Sequence, residues 1–204
     1  MTDKTIYQSP PWSINLLPDH KNPDYRLVFL DIETTGLDEN TCQILEIACA
    51  VTDKTLTRVD TPEGINIVIG QDANVLKNME PWCMKQHVQL AQDCASSKIT
   101  LGEAENIIID YLSRFIKNWT CIKLIGNNIE FDRKFLKRHM PKLNNQFPAF
   151  SMDISSVRHA LKMWTHYRPL KKKCGHRAID DVLESIQETR SIFDFLNNNK
   201  KSVQ

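Results

Sequence analysis

Three apolar runs, at residues 26–33, 44–51 and 65–69, follow one another early in the chain with short polar links between them. Runs of this length bounded by turn residues read as β-strands, and three in succession predict an antiparallel meander. The first run leads into VFLDIETTGL, which carries two acids, Asp31 and Glu33, one residue apart. A strand turns successive side chains to opposite faces, so both carboxylates share one face while Leu30 and Ile32 take the other. Like charges that close repel. They are tolerated where water solvates them, where one is protonated, or where a cation lies between them.

After the third run the apolar period changes to that of a helix. Residues 82–91, just past Pro81, have room for one or two helical turns. Thr100-Leu101-Gly102-Glu103 has the form of a capping box, and Ala104, Ile107, Ile108, Tyr111, Leu112, Phe115 and Ile116 recur at helical spacing behind it. CIKLIGNN reads as a strand ending at Gly126, and IEFDRKFLKRHM as a helix that Pro141 stops. A short strand at 150–154, a helix at 155–164 and a last helix at 177–196 complete the series, the last with Ile179, Val182, Leu183 and Ile186 on one face. Strands first and alternation afterwards predict an α/β fold, a mixed sheet flanked by helices.

A chain of 204 residues suits one core rather than two. We read 1–25 as an irregular, proline-containing arm packed through Trp12, Ile14 and Leu16, 26–196 as the domain, and 197–204 as a fraying tail. Lys and Arg total 26 against 25 Asp and Glu, so no overall basic excess points to nucleic acid. The distribution does more. Residues 154–179 contain no acid, whereas Arg158, Lys162, Arg168, Lys171, Lys172, Lys173 and Arg177 are cationic. Either this is a solvated loop, or it draws phosphates toward His176. The six cysteines form no C-x-x-C pair and lie largely in apolar stretches, which predicts reduced, buried thiols in an intracellular, most simply cytoplasmic, protein. No apolar stretch reaches the roughly 18 residues that span a bilayer, and the N-terminal sequence lacks the order of a signal peptide.

Three further acids stand near helix starts. Asp132 follows the Gly126-Asn127-Asn128 turn, and Asp180 and Asp181 follow His176 in GHRAIDDVLESI. Taken singly they are ordinary first-turn carboxylates, favoured by the helix dipole. Helical phase does not choose between Asp180 and Asp181. Taken together, Asp31, Glu33, Asp132 and Asp181 make the oxygen-rich set that hard divalent cations prefer, provided the strand end and the helix starts converge. A histidine beside such a set is able to take a proton from water.

In this combination the chain resembles the DEDDh class of 3′-to-5′ exonucleases, enzymes of the RNase H-like fold. The first motif, D-x-E-T-x-G, is matched by Asp31 to Gly36, the second by GNNIEFDRKFL with Asp132, and the third by His176 followed five residues later by Asp181. Within that class TGL, ILEIACAVTD, MEPWCMKQH, RKFLKRHMPKL and HRAIDDVLESIQE are similar to oligoribonucleases. The resemblance implies an RNase H-like (exonuclease) fold with a five-stranded mixed sheet. It implies two divalent ions, Mg²⁺ or Mn²⁺, held by Asp31, Glu33, Asp132 and Asp181, with His176 as general base. Leu37 would be a wedge against the terminal base, with Trp82 and His87 beside the nucleotide pocket. Thr34, Asn128 and Lys173 join the substrate-binding set.

The substrates so implied are single-stranded RNA oligonucleotides, with DNA as an alternative, and a homodimer is an assembly the resemblance allows. Two departures concern substrate length. Pro148-Ala149-Phe150 stand where oligoribonucleases carry His-Tyr-Arg, and Asn128 and Phe131 where they carry serine and glutamine. A DEDDh exonuclease trimming longer RNA or DNA 3′ ends is therefore the second reading. A non-catalytic nucleic-acid-binding module is the third, and the presence of all five motif residues weighs against it.

Overall fold

A computed structural model describes residues 22–60, 64–171 and 176–199. The three early runs form β1 (Arg26–Thr34), β2 (Ile44–Asp53) and β3 (Ile65–Val68), paired antiparallel in sequence as a meander. Helices α1 (Ala73–Lys77), α2 (Pro81–Gln86), α3 (Val88–Ser96) and α4 (Leu101–Ser113) follow. Next come β4 (Ile122–Gly126), α5 (Ile129–His139), α6 (Pro141–Asn144), β5 (Met152–Asp153), α7 (Ile154–Trp164) and α8 (Ala178–Asn199). The sheet runs β3-β2-β1-β4-β5, with β4 parallel to both β1 and β5, which makes it the mixed five-stranded sheet expected.

Alternation along β1 divides the interior. Val28, Leu30 and Ile32 enter one core with Ile108 and Leu112 of α4 and Phe135 and Leu136 of α5. Leu27 and Phe29 face the other way, into a core with Ile154 of α7 and Val182 and Ile186 of α8. Asp31 and Glu33 continue that second face beyond its apolar part. The small side chains of Ala48 and Ala50 in the same core leave room for α8 to pack close to β2. A third cluster, Leu45, Met79, Cys83, Leu90 and Cys94, seats α2 and α3.

Local chemistry sets the ends of these elements. Thr100 Oγ1 accepts from the Glu103 N–H at 3.3 Å, and the Glu103 carboxylate accepts from the Thr100 N–H at 2.8 Å, so the predicted capping box closes. Gly126 ends β4 where a Cβ would lie 2.8 Å from the Leu30 carbonyl oxygen and 2.7 Å from Ile129 Cδ1. Only glycine lets the β4–α5 turn press against β1 one residue before Asp31. Asn128 then takes a left-handed conformation, φ 55°, to start α5.

Two expectations change. Residues 82–91 form parts of two helices, broken at His87, and α8 continues to Asn199, past the expected end at 196. Tyr25 of the arm is buried, while Trp12, Ile14 and Leu16 lie outside the described residues. Cys42, Cys49, Cys83, Cys94 and Cys121 are free and buried, and Cys174 lies outside the described residues. Burial pushes the Cys83 thiol up to about 11 and that of Cys94 up to about 12. Among the described residues no helix is long and apolar enough to cross a membrane.

Candidate active site

The carboxylates meet because β1 ends where α8 begins. Asp31 and Glu33 reach past the apolar part of their face, opposite Ala48 and Glu46 of β2, and the strand register shifts between Glu33 and Thr34. Helix α8 crosses this face and brings Asp181 down onto it. One carboxylate oxygen from each of Asp31, Glu33 and Asp181 lies within 4.8 Å of the other two. Asp180 is exposed on the other side of the helix, so the crossing of α8 makes the choice that helical phase did not.

Asp132 stands behind this trio rather than in it. It is 3% exposed, and its Oδ1 accepts at 3.0 Å from the N–H of Ile32, the residue between the two β1 acids. Burial above all holds its carboxyl well above the ordinary range, with Glu33 and Asp153 adding to the effect. It thus fixes the backbone from which Asp31 and Glu33 project.

Crowding is most acute at Glu33, whose carboxyl is pushed up to about 8 by burial first, then by Asp181 and Glu46. Its neighbour is His87, with Nε2 3.4 Å from Oε2. An ion pair would raise the histidine and lower the acid. Instead burial, helped by His176, lowers His87, and burial raises Glu33, so the contact lacks the mutual shifts of an ion pair. His176 completes the group: its ring centroid lies 6.3 Å from that of His87 and 5.7 Å from that of Trp82, both edge-on.

An apolar rim borders the acids. Leu37 is 69% and Trp82 56% exposed, although both are core residues by type. Glu80 ties them together: its Oε1 accepts from the Leu37 N–H at 3.0 Å, and its own N–H donates to the Thr35 carbonyl at 2.8 Å, two residues before Trp82. Thr34 is buried, and its hydroxyl donates to the Gly36 carbonyl at 2.6 Å, closing the same turn. Asn128 is exposed at the start of α5, its N–H directed at Asp153 Oδ1, 3.4 Å away. Lys173 lies outside the described residues.

The basic surface is smaller than its charge count suggests. Arg177 is turned inward onto Glu46 at 2.7 Å, and Arg158 onto Glu188 at 2.8 Å, so neither is a spare charge for phosphates. Lys162, Arg168 and Lys171 are exposed. Glu46, Glu80 and the inward role of Arg177 escaped the sequence reading. The one signal was a lone acid, Glu46, in the apolar run ILEIACAV.

Convergent oxygen donors, whose charges burial and mutual repulsion both disfavour, suit a divalent cation: a bound ion would relieve that repulsion. The sequence pattern of the exonuclease family (RNase_T) matches residues 28–189. The chain belongs to the exonuclease family. It is a hydrolase of the 3′-to-5′ exonuclease class, and its family relatives include proteins named for oligoribonucleotides. A probable oligoribonuclease of Dictyostelium discoideum is 38% identical, over 81% of this chain and 87% of that protein. An oligoribonuclease of Francisella tularensis is 36% identical, over 80% of this chain and 92% of its own. The zinc-bound E. coli exonuclease I complex with single-stranded DNA shares the fold, with a TM-score of 0.66 at 15% identity over 86% of this chain. This exonuclease spans 43% of the length of that chain.

Proposed function

We propose that this exonuclease removes nucleotides from the 3′ ends of short single-stranded RNA inside the cell, releasing nucleoside 5′-monophosphates, with two Mg²⁺ or Mn²⁺ ions. The observation that carries the reading is the convergence of Asp31, Glu33 and Asp181 within 4.8 Å beside His176 and the exposed Leu37 and Trp82. Asp31 would be shared between the two ions. Glu33 and Asp181 would complete the first site, and Asp132 would support the second. Bound there, the ions supply charge neutralisation at phosphorus and a more acidic water.

The remaining work falls to the chain itself. Leu37 and Trp82 grip the terminal base, a stacking contact that takes any of the four bases. His176 accepts the proton of the water that attacks the last phosphodiester. The bond from phosphorus to the 3′ oxygen of the preceding residue breaks. That oxygen leaves as a hydroxyl after taking up a proton, and the freed nucleotide keeps the phosphate on its 5′ carbon.

Labelled RNA and DNA of roughly two to twenty nucleotides, incubated with Mg²⁺ or with a chelator, test the reading. Metal-dependent release of 5′-monophosphates from the shortest RNAs is expected, and equal use of DNA or of long RNA would overturn the substrate assignment. Absence of cleavage would favour a binding module. Asp31→Asn should lose about 100-fold or more in turnover while retaining its fold. A folded variant with wild-type turnover would remove Asp31 from the mechanism. Sedimentation at working concentrations tests the homodimer.

A further inference from the structure

Glu46 is the least expected charge in the fold. It is 0% exposed, in a stretch of β2 whose other residues from Ile44 to Val51 are apolar, where an ionised carboxylate is unfavourable unless paired and fully hydrogen-bonded. Its oxygens are satisfied by three neighbours. Arg177 donates from Nη2 to Oε1 at 2.7 Å and from Nε to the same oxygen at 3.0 Å. The Ala178 N–H donates to Oε2 at 2.9 Å, and Asn66 Nδ2 to Oε1 at 2.8 Å. Two of these donors are the residues that directly follow His176.

Around His176 the contacts have a common direction. Its φ of 50° lies in the left-handed region, which a non-glycine residue holds only where its surroundings over-determine it. On one side its ring meets Trp82 and His87 at the α2–α3 junction. On the other, Arg177 is anchored to the sheet through Glu46, and its free arm reaches Asp93 of α3 at 3.3 Å. The Asp181 N–H donates to the Arg177 carbonyl at 3.1 Å, so the same anchor sets the first turn of α8. Buried ion pairs are poor sources of net stability, since well-packed apolar residues often do as well. Stability alone does not explain a pair at this point of the chain.

We propose that Glu46 and Arg177 are positioning residues, a clamp that holds His176 against Trp82 and His87. For turnover this rests on the reading of His176 as proton acceptor. The clamp touches no substrate. It acts by removing freedom from the loop end, and a displacement of about 1 Å in a reacting group costs up to roughly 100-fold in rate.

Glu46→Gln keeps the shape of the side chain and removes its charge. Arg177→Lys keeps the charge and loses the two-pronged fork, and it serves where the glutamine variant does not fold. Each is measured alone and with His176→Ala at saturating Mg²⁺, and each is probed by NMR for the nuclear Overhauser contacts between the His176 and Trp82 rings. Expected are a fall in kcat of about 10- to 100-fold with KM little changed, loss of the ring contacts, and a further loss of no more than about 2-fold once His176 is already alanine. An equal loss in both backgrounds, an unchanged kcat, or ring contacts that persist in a folded variant would overturn the clamp. Should His176→Ala itself turn over like wild type, the proton-acceptor reading fails, and the ring contacts alone then decide the clamp.

Discussion

Replacing Glu33 with glutamine should make the metal-free protein more stable, and Mg²⁺ should narrow or reverse that difference. The Glu33 carboxyl is held at about 8 against an ordinary value of 4.5. Between those values the folded protein keeps a proton that the unfolded chain has released, so wild-type stability falls as pH rises through the window. A raised acid contributes no penalty below the lower value and its full penalty above the upper one. At pH 7 the penalty is about 3 kcal/mol. Glutamine is neutral at every pH and escapes it. In chelator near pH 7 the variant should therefore melt roughly 6–12 °C above wild type, the gap closing toward pH 5. At about 100 times the dissociation constant, Mg²⁺ adds roughly 2.7 kcal/mol to whatever binds it. Wild type should gain most of this and the variant little, narrowing or reversing the order. The assay is thermal unfolding across pH with and without metal, read as the difference between the two proteins. Equal pH slopes in chelator, or a variant that is the less stable at pH 8, would refute the account of crowding at Glu33.

His176→Ala should lower turnover by about 100-fold or more between roughly pH 6 and 9; unchanged turnover over that range would remove the base role. Leu37→Ala and Trp82→Ala remove exposed side chains, so melting should not move. Each should raise KM, since losing a base contact costs about 1–3 kcal/mol; unaltered KM in both would place the terminal base elsewhere. Gly126→Ala adds a Cβ 2.8 Å from the Leu30 carbonyl oxygen, and the forced shift should cost about 1–3 kcal/mol in urea unfolding. Undiminished stability would show that the β4–α5 turn does not press on β1 as described.

The face that Asp31 and Glu33 share was legible because strand alternation is a local rule, and Leu30 and Ile32 do enter the opposite core. Which of Asp180 and Asp181 joins them was not, because the answer lies in how α8 crosses β1. Trp82 looked like core by residue type, yet its neighbour Cys83 takes the inward place on α2 and leaves the indole outside. The partnership of Glu46 with Arg177 spans 131 residues, beyond any local pattern. Arg177 was therefore counted with the basic loop. Residue type announces a charge, and only tertiary structure shows whether it is already spent.

The buried cysteines give the molecule an internal reporter. The thiolate is the reacting form of cysteine, and thiols held near 11 and 12 present almost none of it at neutral pH. Cys83 and Cys94 stand on the inward faces of α2 and α3, the segment that carries Trp82 and His87, and Cys94 Sγ is 3.5 Å from the Leu45 carbonyl oxygen it donates to. An alkylating reagent will reach them when that segment lifts from the sheet. Labelling rates at these two positions therefore time the opening of the wall that faces His176, and a bound oligonucleotide pressing on Trp82 should slow them.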